Sequence, residues 1–364
     1  MMRREVATHS RPEHGGPHSA RGGAAPGVMD FSSSIGPLGP PGPIVAALAR
    51  GVETALAYPD PDYADLRAAI SRARGVGAAR LAVGCGATEL IHDWCRAFVG
   101  AGTRVLVQAP TFSEYAAAAR LCGGAVEELA AMELRSSIGE FLSAIPRSGC
   151  VLVCRPNNPT GELITRKSVL EIADEAARRG SQVLVDEAFI DFAPRGESVI
   201  GEVASRENLY VVHSLTKILG IPGVRVGYGA GSAKTARALR AARVPWGVSG
   251  LAQHVAMVAM PMLSSASNSS HVRKTRVACQ REKSFLSREI EGLRGHSCVG
   301  KSEANFVLVS SGRRRTPTLR DALLKRRILV RDCSSFSGLD SSHIRISVRG
   351  RAENEMLLAA LRSA

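Results

Sequence analysis

Three short runs, VLVC, VLVD and YVVH, carry apolar residues at nearly every position; they fall in the stretches Cys150–Cys154, Gln182–Val185 and Leu209–His213. A strand with one wet face alternates apolar and polar residues. A strand that is apolar throughout is buried on both faces, which is the condition of a parallel sheet covered by helices. Similar stretches recur at Leu81–Val83, Arg104–Gln108 and Val224–Gly227, and helical patterns such as Lys167–Arg179 and Ser232–Ala242 separate several of them. Alternation of this kind predicts an α/β fold with a mainly parallel sheet. Leu90, Ile91, Trp94 and Phe98 share one face of a helix after the first strand.

The chain has 364 residues. At about 100–200 residues per domain, that length suggests two domains or one large domain with a lobe. Residues 1–41 are rich in Gly, Pro, Ser and His and read as an extended arm; residues 42–250 read as the large domain. Residues 251–364 begin with helical stretches around a Ser-rich loop, Ser264–Ser270. A smaller α/β portion follows, with strands at Phe306–Val309, Ile328–Arg331 and Ile344–Val348 and a last helix at Glu353–Leu361.

Composition excludes several classes. No apolar run reaches the roughly 18 residues of a membrane span. MMRREVATHSRPEHGG has no apolar segment behind it, so a secretory leader is not expected. The eight Cys form no CxxC pair and no Cys/His cluster, so neither a disulfide framework nor a metal site is expected, and the protein reads as cytoplasmic. The net charge of +14 invites a nucleic-acid reading. Against it, the charges are spread along the chain, with small clusters at Arg313–Arg315 and Lys325–Arg327, and aromatic residues are 4% of the total. The scarcity of Lys is more useful: seven of the 47 basic residues are Lys.

Four segments carry chemistry. In SLTKILGIPGVRVGYG, Lys217 follows a strand, with Ser214 and Thr216 before it and Arg225 after it. A Lys amine can condense with an aldehyde, and two hydroxyls with an Arg can hold a phosphate. Alone, such a Lys also reads as a surface charge. Asp186 ends an apolar strand, where open α/β sheets place ligands; it reads as a ligand carboxylate or as a structural one. Asn158, in CRPNNPTGE, sits in a turn. Gly86, Ala87 and Thr88, in GCGATE, lie between a strand and a helix, where backbone N–H groups can meet a phosphate.

Taken together with the aromatic of APTF, these segments resemble, in order and spacing, the fold-type I aminotransferase superfamily that uses pyridoxal phosphate. The resemblance implies a large domain with a mainly parallel sheet between helices, plus a smaller α/β domain. It makes Lys217 the lysine bonded to the cofactor aldehyde. Asp186 then meets the pyridine nitrogen, Asn158 the ring hydroxyl oxygen, and Phe112 the ring face. Ser214, Thr216, Arg225 and the Gly86–Ala87–Thr88 backbone take the phosphate. Tyr58, in AYPDPDY, matches a tyrosine that reaches the phosphate across a dimer interface, which implies a homodimer with shared active sites.

Within the superfamily, HGG at 14–16, DFSSSIGPLGPP at 30–41, DEAFIDF at 186–192, PWGVS at 245–249 and RDCSSFSGLDSSHIRISVR at 331–349 look like the threonine-phosphate decarboxylases of cobalamin biosynthesis. Phe189 stands where the aminotransferases usually have Tyr. Pro17, Ser34 and Gly36 depart from the arm pattern, in which Asn is common. The implied substrate is a small amino acid bearing a phosphate ester. Arg345 matches the arginine for its carboxylate and Arg331 the one for its phosphate, with Arg349 and His14 as further phosphate candidates. A histidinol-phosphate aminotransferase is the alternative, and a non-catalytic basic binding protein on the same fold a third.

Overall fold

The apolar runs become the centre of a seven-stranded sheet. A computed structural model describes residues 2–16, 27–264, 270–312 and 316–363; Pro17, Arg313–Arg315 and most of the Ser-rich loop lie outside the described residues. Its strands, in chain order, are β1 (Met29–Asp30), β2 (Leu81–Gly84), β3 (Arg104–Ala109), β4 (Ala125–Ala130), β5 (Cys150–Cys154), β6 (Gln182–Asp186), β7 (Leu209–Ser214), β8 (Gly227–Ala230), β9 (Ser297–Cys298), β10 (Phe306–Ser310), β11 (Ile328–Leu329), β12 (Arg331–Asp332) and β13 (His343–Ser347). The large sheet has the order β2-β8-β7-β6-β5-β3-β4. β8 runs antiparallel to both neighbours, and the other pairs are parallel. This is the expected α/β class.

The reason for the continuous apolar runs is visible in the packing. Val151, Val153, Val183, Val185 and Val211 join the core on one face of the sheet. Leu152, Leu184, Tyr210 and Val212 join a second core on the other. Helix Arg166–Arg178 covers the first face with Val169, Ile172, Ala173 and Ala176, spaced as one helical stripe, and the Thr165 hydroxyl caps it by accepting from the Ser168 N–H. Helix Ala87–Phe98 covers the second with Leu90, Ile91, Trp94 and Cys95.

Two strand expectations change. The segment Val224–Gly227 is not a strand: a single helical turn spans Pro222–Val224, Arg225 takes a left-handed φ of 55°, and β8 begins at Gly227. Small residues place it there, because a Cβ on Gly229 would meet the Tyr210 hydroxyl at 2.1 Å. Ile328–Arg331 divides at Val330. β11 pairs with β1 of the arm, while β12 joins the sheet β12-β13-β10-β9. One short segment therefore ties the arm to the C-terminal portion. Helix Gly250–Leu263 packs on helices Gly42–Arg50 and Ala64–Arg74. Among the described residues, no helix is long and apolar enough to cross a membrane.

Candidate active site

Because β5, β6 and β7 are parallel, their C-terminal ends share one edge of the sheet. Asp186 ends β6, Ser214 ends β7, and Asn158 lies in the turn after β5. A cavity of about 450 Å³ opens there, bounded on the far side by the arm and the C-terminal sheet. It is lined by Lys217, Asp186, Asn158, Phe112, Ser214, Thr216, Arg225, Ala87 and Thr88, and by His14, Arg331 and Arg345. A larger open groove of about 850 Å³, beside Arg4, Arg11 and Arg120, holds none of these groups.

One end of the cavity gathers hydroxyl, guanidinium and helix N-terminal donors suited to an anion. The Ser214 and Thr216 hydroxyls lie 2.8 Å apart. Ser214 pairs with Gly227 across β7 and β8, and a Cβ on Gly227 would press on the Ala87 nitrogen at 2.9 Å. The start of helix Ala87–Phe98 is thereby drawn against these hydroxyls, and its N–H groups suit an anion. Gly86 takes a φ of +87°, which favours glycine, and its bare Cα leaves room for the Arg225 guanidinium, whose Nη2 would lie 2.5 Å from a Cβ.

At the centre stand a carboxyl and an amine. Asp186 is 4% exposed. Its Oδ1 accepts from the Ala188 N–H at 2.9 Å and its Oδ2 from the Tyr115 hydroxyl at 2.8 Å. Burial raises its proton affinity, and the hydrogen bonds and nearby cations only partly offset that rise. The half-buried Lys217 amine is pushed down to about 8 by desolvation and by the Arg345 and Arg225 charges, against the pull of Asp186. Its Nζ lies 5.6 Å from the centre of the Phe189 ring.

The far wall is cationic. Arg331 and Arg345 are register partners on β12 and β13, 5% and 7% exposed. Arg345 donates to Oδ1 of Asn158 and, at 2.7 Å, to the Ser32 carbonyl, and its buried Nε finds no acceptor. Burial, with Arg331 adding repulsion, lowers its proton affinity to about 10. Arg331 donates to the Glu13 carbonyl at 2.7 Å and to the Ser335 hydroxyl at 2.9 Å. His14 is held by Glu114 at 2.7 Å, and the other oxygen of that carboxylate meets His92 at 2.8 Å.

One expected site residue, Arg349, is not brought to this cavity. Arg349 spends its guanidinium on Glu353 and on the Asp30 carbonyl, with the Phe31 ring beneath it. Tyr58, expected to reach the phosphate of a partner subunit's site, is 84% exposed, with its ring tilted against Trp246 and centres 5.0 Å apart. In the arm, Ser34 bonds the Ser347 hydroxyl at 3.3 Å. The sequence reading passes over Tyr115, Glu114, His92 and Phe336. The position of Tyr115, three residues after Phe112 at the start of a helix, was the available signal.

The residues present fit pyridoxal phosphate. A depressed lysine amine, a buried carboxyl and an anion cradle that a single Cβ would fill converge on one cavity. Fold and cavity together define a pyridoxal-phosphate-dependent enzyme of fold type I. The model of the "Aminotransferase class I and II" family matches residues 26–361, and the chain belongs to that family. It is 34% identical over 351 residues to the threonine-phosphate decarboxylase of Salmonella typhimurium, covering 92% of this chain and 91% of the relative. It is 33% identical over 338 residues to histidinol-phosphate aminotransferase 2 of Archaeoglobus fulgidus, covering 92% of each. The crystal structure of L-threonine-O-3-phosphate decarboxylase from Porphyromonas gingivalis superposes with a TM-score of 0.80 at 25% identity, over 92% of this chain and 98% of that one.

Proposed function

We propose that this enzyme decarboxylates L-threonine O-3-phosphate to (R)-1-aminopropan-2-yl phosphate and CO2, a reaction of cobalamin biosynthesis, as a cytoplasmic homodimer with shared sites. The observation that carries this reading is the Arg331–Arg345 pair. Two buried guanidiniums on adjacent strands repel each other and are relieved by anions. An amino acid with a phosphate ester brings two anionic groups, so Arg345 takes the carboxylate, and Arg331, with His14, takes the phosphate.

Pyridoxal phosphate supplies the aldehyde that receives the substrate amine and the ring that draws electrons from Cα. Asp186 favours a protonated ring nitrogen. The two arginines would hold the carboxylate and the phosphate of the substrate, and as CO2 leaves Cα, Lys217 would deliver the proton that replaces it. Phe189 supports decarboxylation over transamination, since the position beside Lys217 offers no phenol to the cofactor. The exposed Tyr58, Leu56 and Val244 support a covered dimer face.

Histidinol-phosphate aminotransferase is the second reading, supported by a relative at nearly equal identity. Incubation with L-threonine O-3-phosphate and no 2-oxo acid separates the two. Aminopropanol phosphate supports the proposal. Glutamate formed from histidinol phosphate and 2-oxoglutarate, with no product from phosphothreonine, overturns it.

A further inference from the structure

The Asp186 carboxylate has a partner to which the cofactor reading gives no task. Tyr115 lies in the first turn of helix Glu114–Leu121 and is fully buried. Its hydroxyl donates to Oδ2 of Asp186 at 2.8 Å. Its ring stands edge-on to Phe112, centres 5.6 Å apart and planes at 82°. One side chain thus touches both groups assigned to the cofactor ring, the carboxylate for its nitrogen and the aromatic for its face. Tyr115 follows Phe112 by three positions, about one turn, and its N–H donates to the Phe112 carbonyl at 3.2 Å, so a single turn of backbone fixes the two contacts together.

The hydroxyl keeps its proton. Burial first, then the neighbouring Asp186 and Cys154, push its pKa far above the ordinary tyrosine value, so it acts as a donor at any physiological pH. A donor is what Asp186 needs. The remaining groups acting on this carboxyl are the Ala188 N–H and the more distant charges of His213 and Lys217, and burial opposes its ionised form.

We propose that Tyr115 is a positioning residue for the cofactor: its hydroxyl orients and keeps ionised the carboxylate of Asp186, and its ring edge braces Phe112. The proposal rests on the assignment of Asp186 to the pyridine nitrogen. It does not depend on which substrate the enzyme uses.

The test is pyridoxal phosphate binding to the cofactor-free protein, followed by the visible absorbance band, for Tyr115→Phe, Asp186→Asn and the double variant. Tyr115→Phe keeps the ring and loses only the donor. It should weaken binding about tenfold, the loss of one hydrogen bond to a charged group. It should also raise the pH midpoint of the visible band, because a ring held less firmly in its protonated form withdraws less charge from the nitrogen bonded to Lys217. In the Asp186→Asn background the same substitution should add nothing. The proposal is overturned if Tyr115→Phe binds and titrates like the wild type. It is also overturned if the loss is equal in both backgrounds, or if the variant only lowers the melting temperature of the cofactor-free protein. If Asp186→Asn alone leaves binding and band unchanged, the assignment of Asp186 fails first.

Discussion

The backbone N–H of Gly36 donates to the carbonyl oxygen of Lys217 at 2.8 Å. The arm therefore rests directly on the backbone of the residue proposed to bond the cofactor. A Cβ at Gly36 would meet the Ile218 carbonyl at 2.8 Å and that of Lys217 at 3.1 Å. These are backbone atoms that cannot rotate away.

Gly36→Ala is expected to lift the arm from the lysine loop while leaving the sheet intact. Turnover should fall by about tenfold or more, since small misplacements at a reacting centre are costly. Far-UV circular dichroism should be unchanged. Wild-type turnover in this variant would show that the contact is incidental.

The depressed amine of Lys217 gives a pH dependence. Condensation requires the neutral amine, whose fraction rises about tenfold per pH unit below the pKa. The rate at which the cofactor-free enzyme takes up pyridoxal phosphate should climb to about pH 8 and then level off. A lysine at its ordinary value of 10.5 would keep climbing through pH 10. Stopped-flow absorbance across that range distinguishes the two profiles.

Arg345 should matter for binding through geometry as well as charge. Its planar fork serves Asn158 and the Ser32 carbonyl at once, an arrangement that a Lys point charge does not reproduce. Arg345→Lys should raise KM for the amino-acid substrate about 10–100-fold, the value of one or two charge-assisted hydrogen bonds. Steady-state kinetics with Arg331→Lys in parallel should show a second loss, larger for phosphorylated than for unphosphorylated amino acids.

Stability depends on a buried charge behind the site. Arg155 is fully buried, pairs with Glu187 at 3.4 Å, and donates to the Ile164 carbonyl at 2.7 Å. Glu187 also meets His213 at 2.9 Å and has its proton affinity lowered because its partners outweigh its burial. Arg155→Leu removes a fully buried cation from between Glu187 and Glu197, leaving Glu187 only His213, Ser198 and the Val199 N–H, and should cost about 3–5 kcal/mol in urea unfolding. A loss under about 1 kcal/mol would mean that the remaining partners suffice.

The central strands were legible because burial on both faces leaves no room for polar residues in β5, β6 and β7. β4 was not read. It lies at the sheet edge, and Glu127 and Glu128 interrupt its apolar character. β8 was placed too early because Val224 and Val226 look more strand-like than the glycines that let it pass Tyr210. In the site, Asp186 and Ser214 converged because each ends a parallel strand, Asn158 and Lys217 because each lies in the loop that follows one, and Ala87 because it begins a helix. Tyr115 was missed because its task depends on a contact 71 residues away in sequence. Arg349 was assigned by resemblance, and its position four residues before Glu353 allowed the ion pair that now occupies it.

The proposed reaction is loss of CO2 from a substrate held by Arg345 and Arg331, with Lys217 returning the proton. The direct measurement uses L-threonine O-3-phosphate labelled in its carboxyl carbon, given to the loaded enzyme with no 2-oxo acid. The account predicts one labelled CO2 per substrate over many turnovers, with the visible band intact at the end and no turnover in Lys217→Ala. Bleaching of the band after a single turnover, without CO2, and its return on adding 2-oxoglutarate would contradict it.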